Sequence, residues 1–178
     1  MKTLYMSLLI ICVTNIVSLA QNNPFENLEY TKVVAYEYKG GPDNLRQIEK
    51  ILTSNKEKEG WRIDNSVVLS KKQIKKFEKL FTSESSYGSS TAACFDPHLA
   101  FVYFNEEKIV CVIDICLGCN YLQSSIKIPL IEDKIREGYE ESKQAPIGFS
   151  KQARQEIIQF CKKMNFVKYI PKEKSKYD

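Results

Sequence analysis

The sequence predicts an α+β domain: a small, mostly antiparallel sheet centred on a hairpin at about residues 99–116, with two or three helices packed on it. Three observations point there. Leu99–Phe104 and Lys108–Cys116 are apolar, β-branched and aromatic runs separated only by Asn105-Glu106-Glu107, which reads as a hairpin. Ser70 precedes an apolar stripe at helical spacing, and Ser150 precedes another. The alternation of Leu99, Phe101 and Tyr103 with Ala100, Val102 and Phe104 leaves both faces of the first strand apolar. A strand of that kind is expected to be covered on both sides.

The chain begins with Met1-Lys2, an apolar run over Leu4–Val17, and Ser18-Leu19-Ala20 before Gln21. That is the layout of a secretory leader removed after residue 20. The apolar run is short for a bilayer span, so no stable membrane insertion is expected after cleavage, and the product is periplasmic or secreted. Residues 21–31 read as a flexible lead-in. A single domain is then expected over 32–170, with a loose basic tail at 171–178. Lys32–Tyr38 is rich in β-branched and aromatic residues and reads as a strand that Gly40-Gly41-Pro42 stops. Asp43–Leu52 places Leu45, Ile48 and Leu52 at helical spacing, and Trp61–Leu69 reads as extended. Ser70-Lys71-Lys72-Gln73 fits a capping box, in which Ser and Gln satisfy each other's backbone donors, and Ile74, Phe77, Leu80 and Phe81 follow as the buried stripe. Thr82–Ala93, rich in Ser and Gly, is expected to be a loop. Residues 120–129 read as irregular or partly extended, and Glu132–Glu141 as a short charged helix. Ala153, Ile157, Cys161 and Met164 form the stripe of the closing helix, and Phe166–Ile170 suits a last short strand.

Composition narrows the function classes. The 26 basic and 22 acidic residues give a net charge of +4, and +3 once Lys2 leaves. That is too weak a balance to argue for nucleic acid. Lys71, Lys72, Lys75, Lys76 and Lys79 read as the solvated face of one helix. No G-x-S-x-G, phosphate-loop, H-E-x-x-H or calcium-loop motif is present. No partner is legible. Tyr36, Tyr38, Trp61, Tyr87 and Tyr103 are candidates for a binding surface, although core packing accounts for most aromatics.

The cysteines carry the chemistry on offer. Cys12 leaves with the leader, so Cys94, Cys111, Cys116, Cys119 and Cys161 remain. Export makes disulfides expected, and five is odd, so at least one thiol is free or pairs with another chain. Strand alternation puts Ile109, Cys111, Ile113 and Ile115 on one face and Val110, Val112, Asp114 and Cys116 on the other. Cys111 on this strand and Cys161 on the stripe of the closing helix read as small core hydrophobes, and Asp114 as an exposed edge position in preference to a buried carboxylate beside Cys116. Cys94, Cys116 and Cys119 remain, with His98, the only histidine, nearby. Three readings stay open. The first is a structural disulfide from Cys94 to Cys116 or Cys119, a loop closure worth roughly 3 kcal/mol. The second is a zinc site with Cys94, His98, Cys116 and Cys119 as a Cys₃His set. The third is a thiol-redox pair at Cys116-Leu117-Gly118-Cys119, although such pairs usually open a helix and none is expected at Asn120. Covalent haem is disfavoured because Asn120, not His, follows Cys119. No catalytic residue is assigned.

The run Leu69-Ser70-x-x-Gln73, then Cys94-Phe95-x-Pro97-His98, Phe101-Val102-Tyr103-Phe104 and Ile115-Cys116-x-x-Cys119 resembles a family of small exported proteins of Bacteroidota-type bacteria. The resemblance covers residues 32–166, with Ser124-Ser125 and the closing helix also fitting. It implies that Cys94, Cys116 and Cys119 act as one unit. Members of that family often carry a second histidine where this chain has Leu99, a departure that counts against a histidine-dependent role. No activity is assigned to the family, so the resemblance implies none.

Overall fold

A five-stranded antiparallel sheet, whose strands lie side by side in the order Arg62–Val68, Lys32–Lys39, Leu99–Asn105, Lys108–Cys116 and Tyr121–Ser124, organises the domain. The computed structural model describes residues 23–40, 47–54, 60–92, 94–129, 131, 147–171 and 176–177. The predicted leader, the Glu132–Glu141 helix and most of the tail lie outside them. The strands are β1 (Lys32–Lys39), β2 (Arg62–Val68), β3 (Tyr87–Ser89), β4 (Leu99–Asn105), β5 (Lys108–Cys116), β6 (Tyr121–Ser124) and β7 (Gly148–Phe149). The helices are α1 (Gln47–Thr53), α2 (Lys71–Thr82) and α3 (Lys151–Lys163). β3 and β7 form a separate two-stranded ribbon.

The α+β architecture is as the sequence predicts, and its physical causes are visible. The Ser70 side chain accepts from the Gln73 backbone and Gln73 Oε1 accepts from the Ser70 N–H at 2.9 Å, so the capping box starts α2. Ser150 caps α3 through Ala153 N–H at 3.3 Å. Both helices bury their stripes on one face of the sheet, against Leu99, Phe101, Tyr103, Ile113 and Ile115. The centre of that core is aromatic: Phe77 lies 4.1 Å from Phe101 and meets Phe160 edge-on at 4.1 Å. Such pairs contribute about 0.5–1.5 kcal/mol beyond the area they bury. The opposite face packs Val34, Tyr36, Ala100, Val102 and Val112 against Ile48 of α1. β4 is thus covered on both sides.

Several expectations are corrected. The lead-in is ordered from Asn23: its turn buries Phe25, which stacks on Tyr103 at 5.5 Å. Tyr30 follows, its hydroxyl donating to Glu78 at 3.0 Å. The Ser/Gly stretch is not all loop. It holds a 3₁₀ turn at Glu84–Ser86 and then β3, because Tyr87 is buried against Phe149 and donates to the Phe81 carbonyl at 2.8 Å. Within 120–129, expected to be irregular or partly extended, residues 121–124 are the extended part and form β6 on the outside of β5, in keeping with that expectation. Phe166–Ile170 makes no strand; the buried Glu37 carboxylate takes the Lys168 N–H at 2.6 Å, the donor a ladder would need. In the tail, Tyr177 is buried, with the Arg154 guanidinium over its ring at 5.9 Å. Finally, Phe104 pairs with Ile109 and Tyr103 with Cys111, leaving Val110 as an extra residue. This bulge swaps the expected faces of Ile109 and Val110, while Cys111, Ile113 and Ile115 keep theirs.

Candidate functional site

The β5 strand ends in a tight turn, and the three sulfurs meet there. The Asn120 N–H donates to the Cys116 carbonyl at 2.8 Å, which folds Leu117–Asn120 back on the strand end. Asn120 makes this possible by taking φ = 66°, the left-handed region that Asn tolerates better than most residues. The turn places the Cys116 and Cys119 Cα atoms 5.2 Å apart, and the two sulfurs sit at disulfide distance. The expected pairing of Cys94 with Cys116 or Cys119 is therefore corrected. Cys119 is paired instead with Cys116, within the same turn.

Cys94 is nevertheless part of the cluster. Its Sγ lies 3.2 Å from Cys119 Sγ, and it is exposed while Cys116 and Cys119 are buried. The Ala92 N–H donates to the Cys119 carbonyl at 3.0 Å, so the segment leading to Cys94 runs against the turn. Phe95 and Tyr121, 4.8 Å apart, wall the buried sulfurs. The Cys119 N–H points at Cys116 Sγ, 3.0 Å away.

His98 makes its contacts elsewhere. Its Nδ1 lies 3.2 Å from the Tyr38 carbonyl, its Nε2 is 3.3 Å from Asp96, and its ring stacks on Tyr169 at 4.2 Å. The Cys94, His98, Cys116, Cys119 set is thus not assembled as a zinc site. Among the described residues no group of three or more His, Cys, Asp or Glu is arranged to hold a metal ion. Cys111 and Cys161 are core residues, as expected, and burial pushes both thiols up to about 12. Of the aromatics considered for a surface, Tyr36, Tyr38, Tyr87 and Tyr103 are buried.

Three residues that support the turn carried no signal in the sequence. The Asn120 side-chain amide donates to Ser90 O at 3.1 Å and Phe149 O at 3.0 Å, clamping the β3–β7 ribbon to the cysteine turn. Gly148 is required beside it, since a Cβ there would lie 2.5 Å from Ser90 O and 2.7 Å from Asn120 Nδ2. Arg154 is wholly buried and donates to the Leu117 carbonyl, inside the C-x-x-C. It sits beside the apolar stripe of α3, where a charged residue is normally solvated.

A second feature lies farther back along β5, two residues before Cys116. Asp114 is 2% exposed, not at an exposed edge, and accepts from Tyr38 Oη at 2.8 Å. Burial pushes its carboxyl up to about 7; the Tyr38 hydrogen bond opposes this and Glu49 adds to it. Asp114 borders an open groove of about 740 Å³ whose other walls include Glu49, Lys50, Val112, Leu122 and Ile128. Among the described residues no helix is long and apolar enough to cross a membrane. Comparison with protein-family profiles, with curated proteins and with solved structures gives no match, so the chemistry of the site is read from its own atoms.

Proposed function

We propose that this chain is an exported, non-enzymatic binding or structural module of one α+β domain, stapled at the exit of its central hairpin by a disulfide between Cys116 and Cys119. The observation that carries the reading is the Cys116–Cys119 pair at disulfide distance, buried behind Phe95 and Tyr121, with His98 engaged elsewhere. Export is supported by the leader pattern before Gln21 and by the resemblance to small exported proteins. The groove beside Asp114, with Val112, Leu122 and Ile128 set among Glu49, Lys50 and other polar residues, is a surface suited to take a ligand.

Closure of so short a loop stabilises by only about 2 kcal/mol in the chain-entropy account. The pair therefore fixes the turn locally more than it holds the domain together. The test is the intact mass of the protein exported with its own leader, under native and denaturing conditions, with and without thiol alkylation. Five cysteines follow the leader, so one disulfide leaves three thiols to alkylate after unfolding. That count, with no metal adduct, is the expected result. Five alkylatable thiols, with or without zinc in the native spectrum, would refute the staple.

The thiol-redox reading is favoured by one further observation, the Cys94 sulfur 3.2 Å from Cys119.

A further inference from the structure

We propose that Cys94, Cys119 and Cys116 form a three-sulfur thiol–disulfide exchange site, in which exposed Cys94 reacts with small disulfides and the buried Cys116–Cys119 pair holds the resulting oxidation. The proposal rests on the Cys116–Cys119 disulfide described above and extends it from a staple to a working couple.

The order of the sulfurs carries the argument. Cys119 is the middle atom: it is paired with Cys116 on one side and lies 3.2 Å from Cys94 on the other. Exchange proceeds by attack of a thiolate on one sulfur of a disulfide with departure of the other. Cys94 is the exposed member, so it alone meets a solute readily. If Cys94 attacks Cys119, the leaving sulfur is Cys116. The Cys119 N–H, 3.0 Å from Cys116 Sγ, then stabilises the negative charge that develops there. Phe95 and Tyr121 keep the inner sulfurs from solvent. The other two thiols stay outside the exchange, buried in the helix-covered core.

The steps balance. In the reduced protein the Cys94 thiolate attacks a small disulfide, R–S–S–R. A Cys94–S–S–R bond forms and the first R–S⁻ leaves, taking the proton that Cys94 gave up. The Cys119 thiolate attacks Cys94 Sγ and expels the second R–S⁻, which takes the Cys119 proton. The Cys116 thiolate then attacks Cys119 Sγ and returns Cys94 as a thiolate, which takes the Cys116 proton. The net change oxidises Cys116 and Cys119 by two electrons and reduces one small disulfide to two thiols. The reverse sequence lets a small thiol reduce the pair.

The test uses the reduced, folded chain and one molar equivalent of the aromatic disulfide 5,5′-dithiobis(2-nitrobenzoate), so that the Cys94 thiol returned at the end of the sequence meets no further reagent, followed by the absorbance of released thionitrobenzoate and by intact mass. The wild-type protein is expected to release two equivalents per chain, retain no adduct and gain one internal disulfide. Cys94→Ser should slow the release by about tenfold or more, because its remaining sulfurs are buried. Cys119→Ser should release one equivalent and keep the nitrobenzoate adduct on Cys94. Cys116→Ser should release two equivalents and leave a Cys94–Cys119 disulfide, seen as a cross-link between the peptides on either side of Lys108. A Cys94→Ser protein that reacts at the wild-type rate overturns the proposal. So does a stable Cys94 adduct on the wild-type chain, or Cys116→Ser without the cross-link. Protection of Cys111 and Cys161 in each variant reports that it is folded, and Cys→Ala counterparts replace any that is not. The staple is judged on the oxidised, exported protein and this exchange on the reduced one, so either can fail alone.

Discussion

Replacing Asp114 with Asn should stabilise the protein at neutral and alkaline pH, and the gain should shrink in acid. Burial holds the folded-state carboxyl at about 7 against an ordinary value of 3.8. Between those two values the folded protein keeps a proton that the unfolded chain releases. Stability from this group therefore falls as pH rises from about 4 to about 7 and is flat beyond. The full difference corresponds to roughly 4 kcal/mol at 1.4 kcal/mol per pH unit. An amide is neutral throughout, and its oxygen can still accept from the Tyr38 hydroxyl. Any packing defect of the Asn side chain adds a constant that does not vary with pH. The stability of Asp114→Asn relative to wild type should thus rise by roughly 3 kcal/mol between pH 5 and pH 8. Urea unfolding of both proteins, followed by far-ultraviolet circular dichroism at the two pH values, measures this directly. A difference that stays constant with pH, or that moves against the mutant as pH rises, would show that Asp114 is ionised in the folded protein and would refute its placement behind Tyr38.

Other outcomes are expected around the cysteine turn. Gly148→Ala should cost about 1–3 kcal/mol, since the new methyl meets Ser90 O, Ser89 O and the Asn120 amide at 2.5–2.7 Å; thermal unfolding of the two proteins would show it. Arg154→Met keeps the length of the side chain but leaves the Leu117 carbonyl without its charged donor. A loss of about 2 kcal/mol in urea is expected, and an unchanged midpoint would mean the buried guanidinium does not support the turn. Cys111 and Cys161, 0% and 2% exposed, should resist iodoacetamide in the folded protein and react only as fast as the chain opens. Rapid native labelling of either would contradict its burial.

Local patterns in the sequence were read correctly where the neighbours that decide them are close along the chain. Ser70 with Gln73, Ser150 with Ala153, and the strand alternation of Leu99–Tyr103 all depend on residues a few positions away. What escaped depends on distant partners. Asp114 looks like an edge residue until Tyr38, 76 positions earlier, lies over it. Ile109 and Val110 changed faces because a bulge opposite Tyr103 and Phe104 adds a residue that alternation cannot register. Phe25 looked like part of a free lead-in because its partner Tyr103 belongs to another strand. At the site, the grouping of Cys94, Cys116 and Cys119 was legible. Their order was not, because it follows from the left-handed backbone of Asn120. His98 was drawn into the set by nearness in sequence alone, yet its ring packs on Tyr169.

The strand order has a consequence for how the chain reaches this state. β4 and β5 are joined by two residues, Glu106 and Glu107, and can zip as a local hairpin. β1 instead pairs with β4 in a register that joins Lys32 to Phe104 and Glu37 to Leu99, so everything between must first be looped out. Loop-closure entropy makes such a pairing late and slow relative to a hairpin. Until β1 arrives, one edge of β4 is open and Val102, Ala100 and Phe104 lie bare. A chain delivered from its N-terminus would present β1 long before its partner exists. The hairpin, with the cysteine turn at its far end, is then the template on which the rest of the sheet assembles, and the interval before β1 docks is when the protein is most exposed to pairing with a second copy of itself.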